Sequence, residues 1–186
     1  LRALTDRADP DLRRLGALGL GERGTMADVP ALAGALRDPD GVVRALAERA
    51  LWAVWSRSGD ADVDRLFQRG LAEMRHGEAE TAARTFGEVI RRRPEFAEGW
   101  NKRATVYYLF GEYGKSLADC DEVMKRNAFH FGALSGYGLI YLKLDQPARA
   151  LEYFERALDV NPNLDQVRET IEVLRALLLQ RRKDTI

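Results

Sequence analysis

Three observations predict an all-α fold for this chain. Helix formers such as Ala, Leu, Arg and Glu dominate its 186 residues, and only 6 are proline, a balance that favours helix over strand. Hydrophobic residues make up 46%, enough for a packed core rather than disorder. The strongest observation is a register: between about 63 and 162, residues of the same class recur every 34 positions. A sequence unit of that length cannot bury its own apolar face and stacks on its neighbours instead.

Charge and composition narrow the functional classes. Lys plus Arg and Asp plus Glu both number 29, so the net charge is zero. General nucleic-acid binders draw affinity from neutralising phosphates with a basic excess, so no general nucleic-acid binding is expected. One cysteine excludes an intramolecular disulfide and a cysteine-rich metal site. No apolar run approaches the ~18–20 residues of a membrane span, and no signal peptide is visible. The chain starts at Leu1 rather than methionine, so the compartment stays open, with a soluble cytoplasmic protein as the default expectation.

The first 60 residues read differently from the rest, with Arg supplying every basic charge. ADPDLRRLGALGLGERG (8–24) and RDPDGVVRALAERALWAV (37–54) echo each other, each placing Asp-Pro-Asp before a helix. Asp38 or Asp40 is suited to cap the second, with Pro39 where its missing N–H does no harm. Val43, Leu46, Ala50 and Val54 form its apolar stripe, and MADVPALAGALRD (26–38) supplies a short amphipathic helix between the echoes. VPALAGALRDPDGVVRALAERAL resembles the HEAT-like repeats of many bacterial proteins, phycobilin lyases among them. The resemblance implies one complete helix pair at about 28–57 and a second at about 1–24 that lacks part of its first helix. Ser56 to Asp60 marks a turn. Trp52 and Trp55 just before it are expected to pack this part against the next helix, with ligand stacking as the alternative.

From 63 onward a step of 34 relates Leu66, Trp100 and Leu134, then Gly70, Ala104 and Gly138. It also relates Ala82, Ser116 and Ala150, then Phe86, Cys120 and Phe154, then Val89, Val123 and Ala157. Small residues recur where two helices cross closely, and larger ones where they fill the space between. The stretch FGALSGYGLIYLKLDQPARALEYFERALDVNP (131–162) resembles a tetratricopeptide (TPR) repeat, and the same signature fits about 63–94 and 97–128. The resemblance implies a right-handed α-solenoid of antiparallel helix pairs. Two positions depart from the pattern. Ala128 replaces the closing proline of the middle repeat, so a looser turn or longer helix is expected there. Glu73 stands where Tyr107 and Tyr141 stand in the other repeats, a change expected from a non-standard neighbour.

The segment from 163 to 186 reads as a capping helix and tail, with Leu164, Val167, Ile171, Leu174 and Leu178 on one face. Val173 and Leu177 lie off that face, as scattered surface residues or as the seam of a homodimer. The expected organisation is therefore 1–60, 61–162 and 163–186.

Residues for catalysis are scarce. His76 and His130 have no second histidine at helical spacing, and both read as structural or surface residues. Cys120 occupies a core position with nothing basic fixed beside it. GALGLGERG and GALSGYG match no phosphate loop, and carboxylates such as Glu152 sit in solvated i,i+4 patterns with Arg156. No catalytic residue, metal or cofactor is expected. The TPR resemblance instead implies a concave face lined by the first helix of each pair. Its groove residues would be Phe67, Leu71, Met74 and Arg75, then Asn101, Lys102, Thr105, Tyr108 and Leu109, then Ser135, Leu139, Leu142 and Lys143. Such a lining suits an extended or helical peptide of some acidic character, with Asn101 placed to grip its backbone. The chaperone-binding subtype grips a terminal carboxylate with Lys, Asn and Arg side chains. The matching positions here are Phe67, Leu71, Lys102, Gly132 and Gly136, so that clamp is not expected. The leading expectation is a non-enzymatic scaffold that binds a peptide segment of another protein. The alternatives are a bilin-lyase-like chromophore-attachment factor and an architectural subunit that self-associates.

Overall fold

The computed structural model describes residues 1–183, so the last three positions of the expected tail lie outside it. Among the described residues it holds ten α-helices, two short 3-10 turns and no strand. The chain divides into two compact units, residues 1–64 with 161–163, and residues 65–160 with the remainder.

The first unit contains α1 (Pro10–Arg23), α2 (Val29–Ala35) and α3 (Gly41–Trp55). Asp9 caps α1 by accepting from the Asp11 N–H, and Pro10 opens the helix where no donor is needed. Asp40 caps α3 by accepting from the N–H groups of Val42 and Val43, both at 2.9 Å. The two sequence echoes are tied together by charge. Arg13 donates twice to the Asp38 carboxylate, at 2.6 and 2.9 Å, and Arg14 reaches Asp40. Ala17, Leu20, Leu32, Leu36, Val43, Ala47 and Leu51 form the apolar interior. Trp52 and Trp55 meet edge to face, with 5.2 Å between ring centroids. Asn161 and Asn163 belong to this unit, where Asn163 Nδ2 donates to the Leu36 carbonyl at 2.8 Å.

The second unit is built from α4 (Ala61–Arg75, entering the unit at Arg65), α5 (Ala79–Arg92), α6 (Ala97–Leu109), α7 (Tyr113–Arg126), α8 (Phe131–Lys143), α9 (Pro147–Val160) and α10 (Asp165–Lys183). Helices α5, α7 and α9 begin and end 34 residues apart, as do α6 and α8. The sequence period is thus a period of helix boundaries. Each pair closes through the same turn, in which Glu78, Glu112 and Gln146 donate their N–H to the carbonyls of Glu73, Tyr107 and Tyr141. This six-to-one bond is a Schellman C-cap, and it needs a left-handed residue just before the donor. Gly77 and Gly111 adopt φ of 76° and 75° there, and Asp145 takes the same place at φ 50°.

Packing within a pair follows size complementarity. A Cβ on Gly70 would stand 2.7 Å from the Phe86 ring, and one on Gly138 would stand 2.5 Å from Phe154. Where the partner is the smaller Cys120, the crossing residue is Ala104. The expected loosening at Ala128 does not occur, because α7 ends at Arg126, in register with Arg92 and Val160. Asn127 stops the helix instead: its buried side chain accepts from the Phe129 N–H at 3.1 Å, an Asx turn. Glu73 is buried, with Oε1 accepting from Arg69 Nε at 2.8 Å. In the third repeat Tyr137, Tyr141 and Tyr153 stack. Burial and a hydrogen bond to Asp121 push the Tyr137 hydroxyl far above its ordinary pKa. Helix α10 packs on α9, burying Ile171 and Leu174 beside Tyr141 and Phe154.

Candidate peptide-binding face

Helices α6 and α8 stand side by side as the first helices of their pairs, with α7 behind them. Between them lies a cleft of about 160 Å³. Asn101, Thr105 and Tyr108 line it from α6, Ser116 and Cys120 from α7, and Gly132, Ser135, Gly136, Leu139 and Ile140 from α8. Five of the thirteen expected groove residues therefore meet at one cavity. Leu109 is 66% exposed on the same helix, and Leu139 is 44% exposed at the cleft's edge. Leu71, Met74 and Leu142 are half-buried, while Arg75 and Lys143 are exposed.

Two expectations need correction. Phe67 does not line an open face. It is fully buried, with Phe86 at 5.7 Å and Phe96 at 5.2 Å between centroids. A phenyl ring at this register gains more from that aromatic seam than from water. Asn101 is also not free to grip a backbone through its amide nitrogen, which donates to both Glu98 oxygens at 3.2 Å. Lys102 is drawn to the same carboxylate, with Nζ 2.9 Å away.

Glu98 is the hub of a network that sequence reasoning missed. It is 1% exposed and faces His130, which is fully buried, across 2.8 Å. His130 Nδ1 accepts from the Ala133 N–H at 3.0 Å and so caps α8. The other ring nitrogen then carries the proton and donates to Glu98. Burial alone would raise the Glu98 pKa, but the His130 hydrogen bond and the bond and charge of Lys102 outweigh it and hold the carboxyl below its ordinary value. The network is a brace between the second and third repeats. The glycines that form the cleft were also missed as cleft formers. Their signal was present in the register, where Gly132 and Gly136 align with Glu98 and Lys102.

The remaining candidates do not assemble a reactive site. Cys120 is 2% exposed, and burial followed by the charges of Asp119 and Asp121 pushes its thiol up to about 12. His76 is exposed in the turn after α4. Among the described residues, no group of three His, Cys, Asp or Glu side chains could hold a metal. No described helix is long and apolar enough to cross a membrane. Val173 and Leu177 are exposed on α10, at 68% and 40%.

Helix pairs on a 34-residue step, glycine-sized crossings and a cleft between first helices define a helical-repeat class. Tetratricopeptide repeat models match residues 67–129 and 133–164, together about half the chain. A TPR repeat-containing protein of Rhizobium etli is 33% identical over 138 residues, covering 74% of this chain and 67% of that protein. The chain belongs to the TPR repeat family. Its fold is also that of the Sgt2 TPR domain from Aspergillus fumigatus (TM-score 0.62, 19% identity, 67% of this chain and 83% of that one). The first TPR of Spaghetti (RPAP3), bound to an HSP90 peptide, gives a TM-score of 0.61 at 19% identity, covering 64% of this chain and 96% of that one.

Proposed function

We propose that this chain is a non-enzymatic interaction module that binds a peptide segment of another protein on the face shared by α4, α6 and α8. The observation that carries the reading is the cleft between α6 and α8, an apolar recess beside the exposed side chains of Leu109 and Leu139. An apolar recess with a few polar groups at its edge is the usual form of a ligand site. The peptide-bound Spaghetti domain has the same fold. A chaperone-type carboxylate grip does not carry over, because the clamp positions here are Phe67, Leu71, Lys102, Gly132 and Gly136. Recognition would instead combine apolar contacts at Tyr108 and Leu139 with charge selection by the exposed Arg75 and Lys143.

The test is selection of displayed random dodecapeptides on the immobilised chain, followed by titration of an enriched peptide into the isotope-labelled protein. Amide shifts concentrated at Tyr108, Ser135 and Leu139 are the expected result, with at least tenfold weaker binding to a Tyr108→Ala/Leu139→Ala variant of unchanged helicity. Shifts concentrated on α9 and α10, or no peptide enriched above background, would refute the reading.

A further inference from the structure

Helix α8 contains three glycines, at 132, 136 and 138, and each weakens a helix relative to alanine. Gly138 is explained by packing, since a Cβ there would collide with Phe154 at 2.5 Å. Gly136 is not. A Cβ on it would meet only Cys120 Sγ, at 3.8 Å, an ordinary contact. The fold would accept a side chain at 136, and α6 carries Lys102 at the equivalent position, bonded to Glu98. Helix α8 leaves both corresponding places bare, and the cleft is the space that results.

The cleft's chemistry identifies its guest. Its serine and threonine hydroxyls are already committed as donors: Ser116 to the Ala104 carbonyl, Thr105 to the Asn101 carbonyl and Ser135 to the Phe131 carbonyl. The Asn101 amide nitrogen and the Lys102 ammonium are both held by Glu98. A carboxylate entering the recess would lose its hydration and meet no dedicated cation. An apolar group would lose nothing, and cavities of about 150 Å³ accept a guest the size of benzene. Along the first helices of the three repeats, Arg75, Leu109 and Lys143 occupy the same position, and the two cations are exposed. Such a row favours acidic residues in the peptide that carries the apolar guest.

We infer that the cleft over Gly136 seats one leucine-, methionine- or phenylalanine-sized side chain of an acidic peptide, and that Gly136 is the specificity-determining residue that keeps the seat open. The inference rests on the peptide-binding reading above and adds to it what the site selects. Recognition is centred on an internal apolar residue rather than on a chain terminus.

The probe is a set of fluorescein-labelled dodecapeptides of Glu, Asp and Ser with one central guest, either Leu, Met, Phe or Ala. Binding is followed by anisotropy to the parent, to Gly136→Leu, and to Arg75→Glu/Lys143→Glu. The parent is expected to hold the large apolar guests at least about tenfold more tightly than Ala, the effect of burying a few methylene groups. Gly136→Leu fills the seat with its own side chain and should bind Leu and Ala guests alike, with the parent's helicity intact. If Gly136→Leu fails to fold, Gly136→Ala serves, and it should narrow the preference by at least threefold. An undiminished preference in the filled variant, or equal binding of all guests by the parent, overturns the inference. If all guests bind equally and charge reversal abolishes binding, the peptide-binding face stands without the seat. If the parent binds none of the set, both readings fall together.

Discussion

Two glycines six-tenths of a turn apart on α8 answer to different demands, and alanine separates them. Gly138→Ala would drive a methyl group into Phe154 and should cost about 1–3 kcal/mol, the usual penalty of overpacking. Gly136→Ala has room and removes a flexible residue from a helix interior, so it should stabilise by up to about 1 kcal/mol. Thermal melts of the two variants should move in opposite directions. Asp145 offers a third case. It holds a left-handed conformation that Gly77 and Gly111 occupy without a Cβ, and Asp145→Gly should stabilise by roughly 0.5–1 kcal/mol. The exposed pair between Asp145 and Arg181 offsets little of that gain. Residue identity alone did not reveal which side chains face the cleft. Phe67, Asn101 and Ser135 share one register, yet the first is core, the second is tied to Glu98 and the third borders the recess. The outcome depends on Phe96 and His130, which lie about thirty residues further along the chain and are invisible to any local pattern.

At the scale of helices and turns, the period of 34 made nearly every boundary of the second unit legible before the structure was known. The middle repeat shows why one was misjudged. Proline is one way to stop a helix, and Asn127 supplies another through its own side chain. Helix starts were equally readable in the first unit, where Asp-Pro-Asp announces a cap, but the sequence did not show that Arg13 and Arg14 would bind those same carboxylates. Acid should therefore loosen α3. The Arg14 hydrogen bond, followed by the Val43 N–H, holds the Asp40 carboxyl at about 2. Its folded value lies below the ordinary one, so its contribution is complete above about pH 4 and fades as pH falls towards 2. Asp40→Asn should remove that part of the pH dependence, measured as a flatter acid limb in far-UV circular dichroism. The Glu98–His130 brace between repeats follows the same sign. The Glu98 carboxyl sits below its ordinary 4.5, so its stabilisation is present above that value and is lost as pH falls through the lower folded one. His130→Ala removes both the α8 cap and a partner of a buried carboxylate, and should cost about 3 kcal/mol in urea denaturation.

Stacked repeats lend one another stability through their interfaces, so the whole unit is sensitive at its last one. Helix α10 supplies that terminal cover by placing Ile171 and Leu174, each under 5% exposed, against the third repeat. Truncating either to alanine should cost about 2–5 kcal/mol. Hydrogen exchange should accelerate first in α9 and only later in α5, a gradient that a uniformly cooperative unit would not show. The amphipathic pattern of α10 was plain in the sequence; the identity of what it covers followed from the register.

The solitary thiol on the floor of the recess gives the molecule a built-in timer. Cys120 is the chain's one cysteine, it is 2% exposed at the base of the cleft, and its pKa of about 12 keeps it protonated at neutral pH. An alkylating reagent has to enter the recess to meet it, so the rate of modification reports access to the recess. A guest lodged above the sulfur would block that approach, and the same clock would run slow.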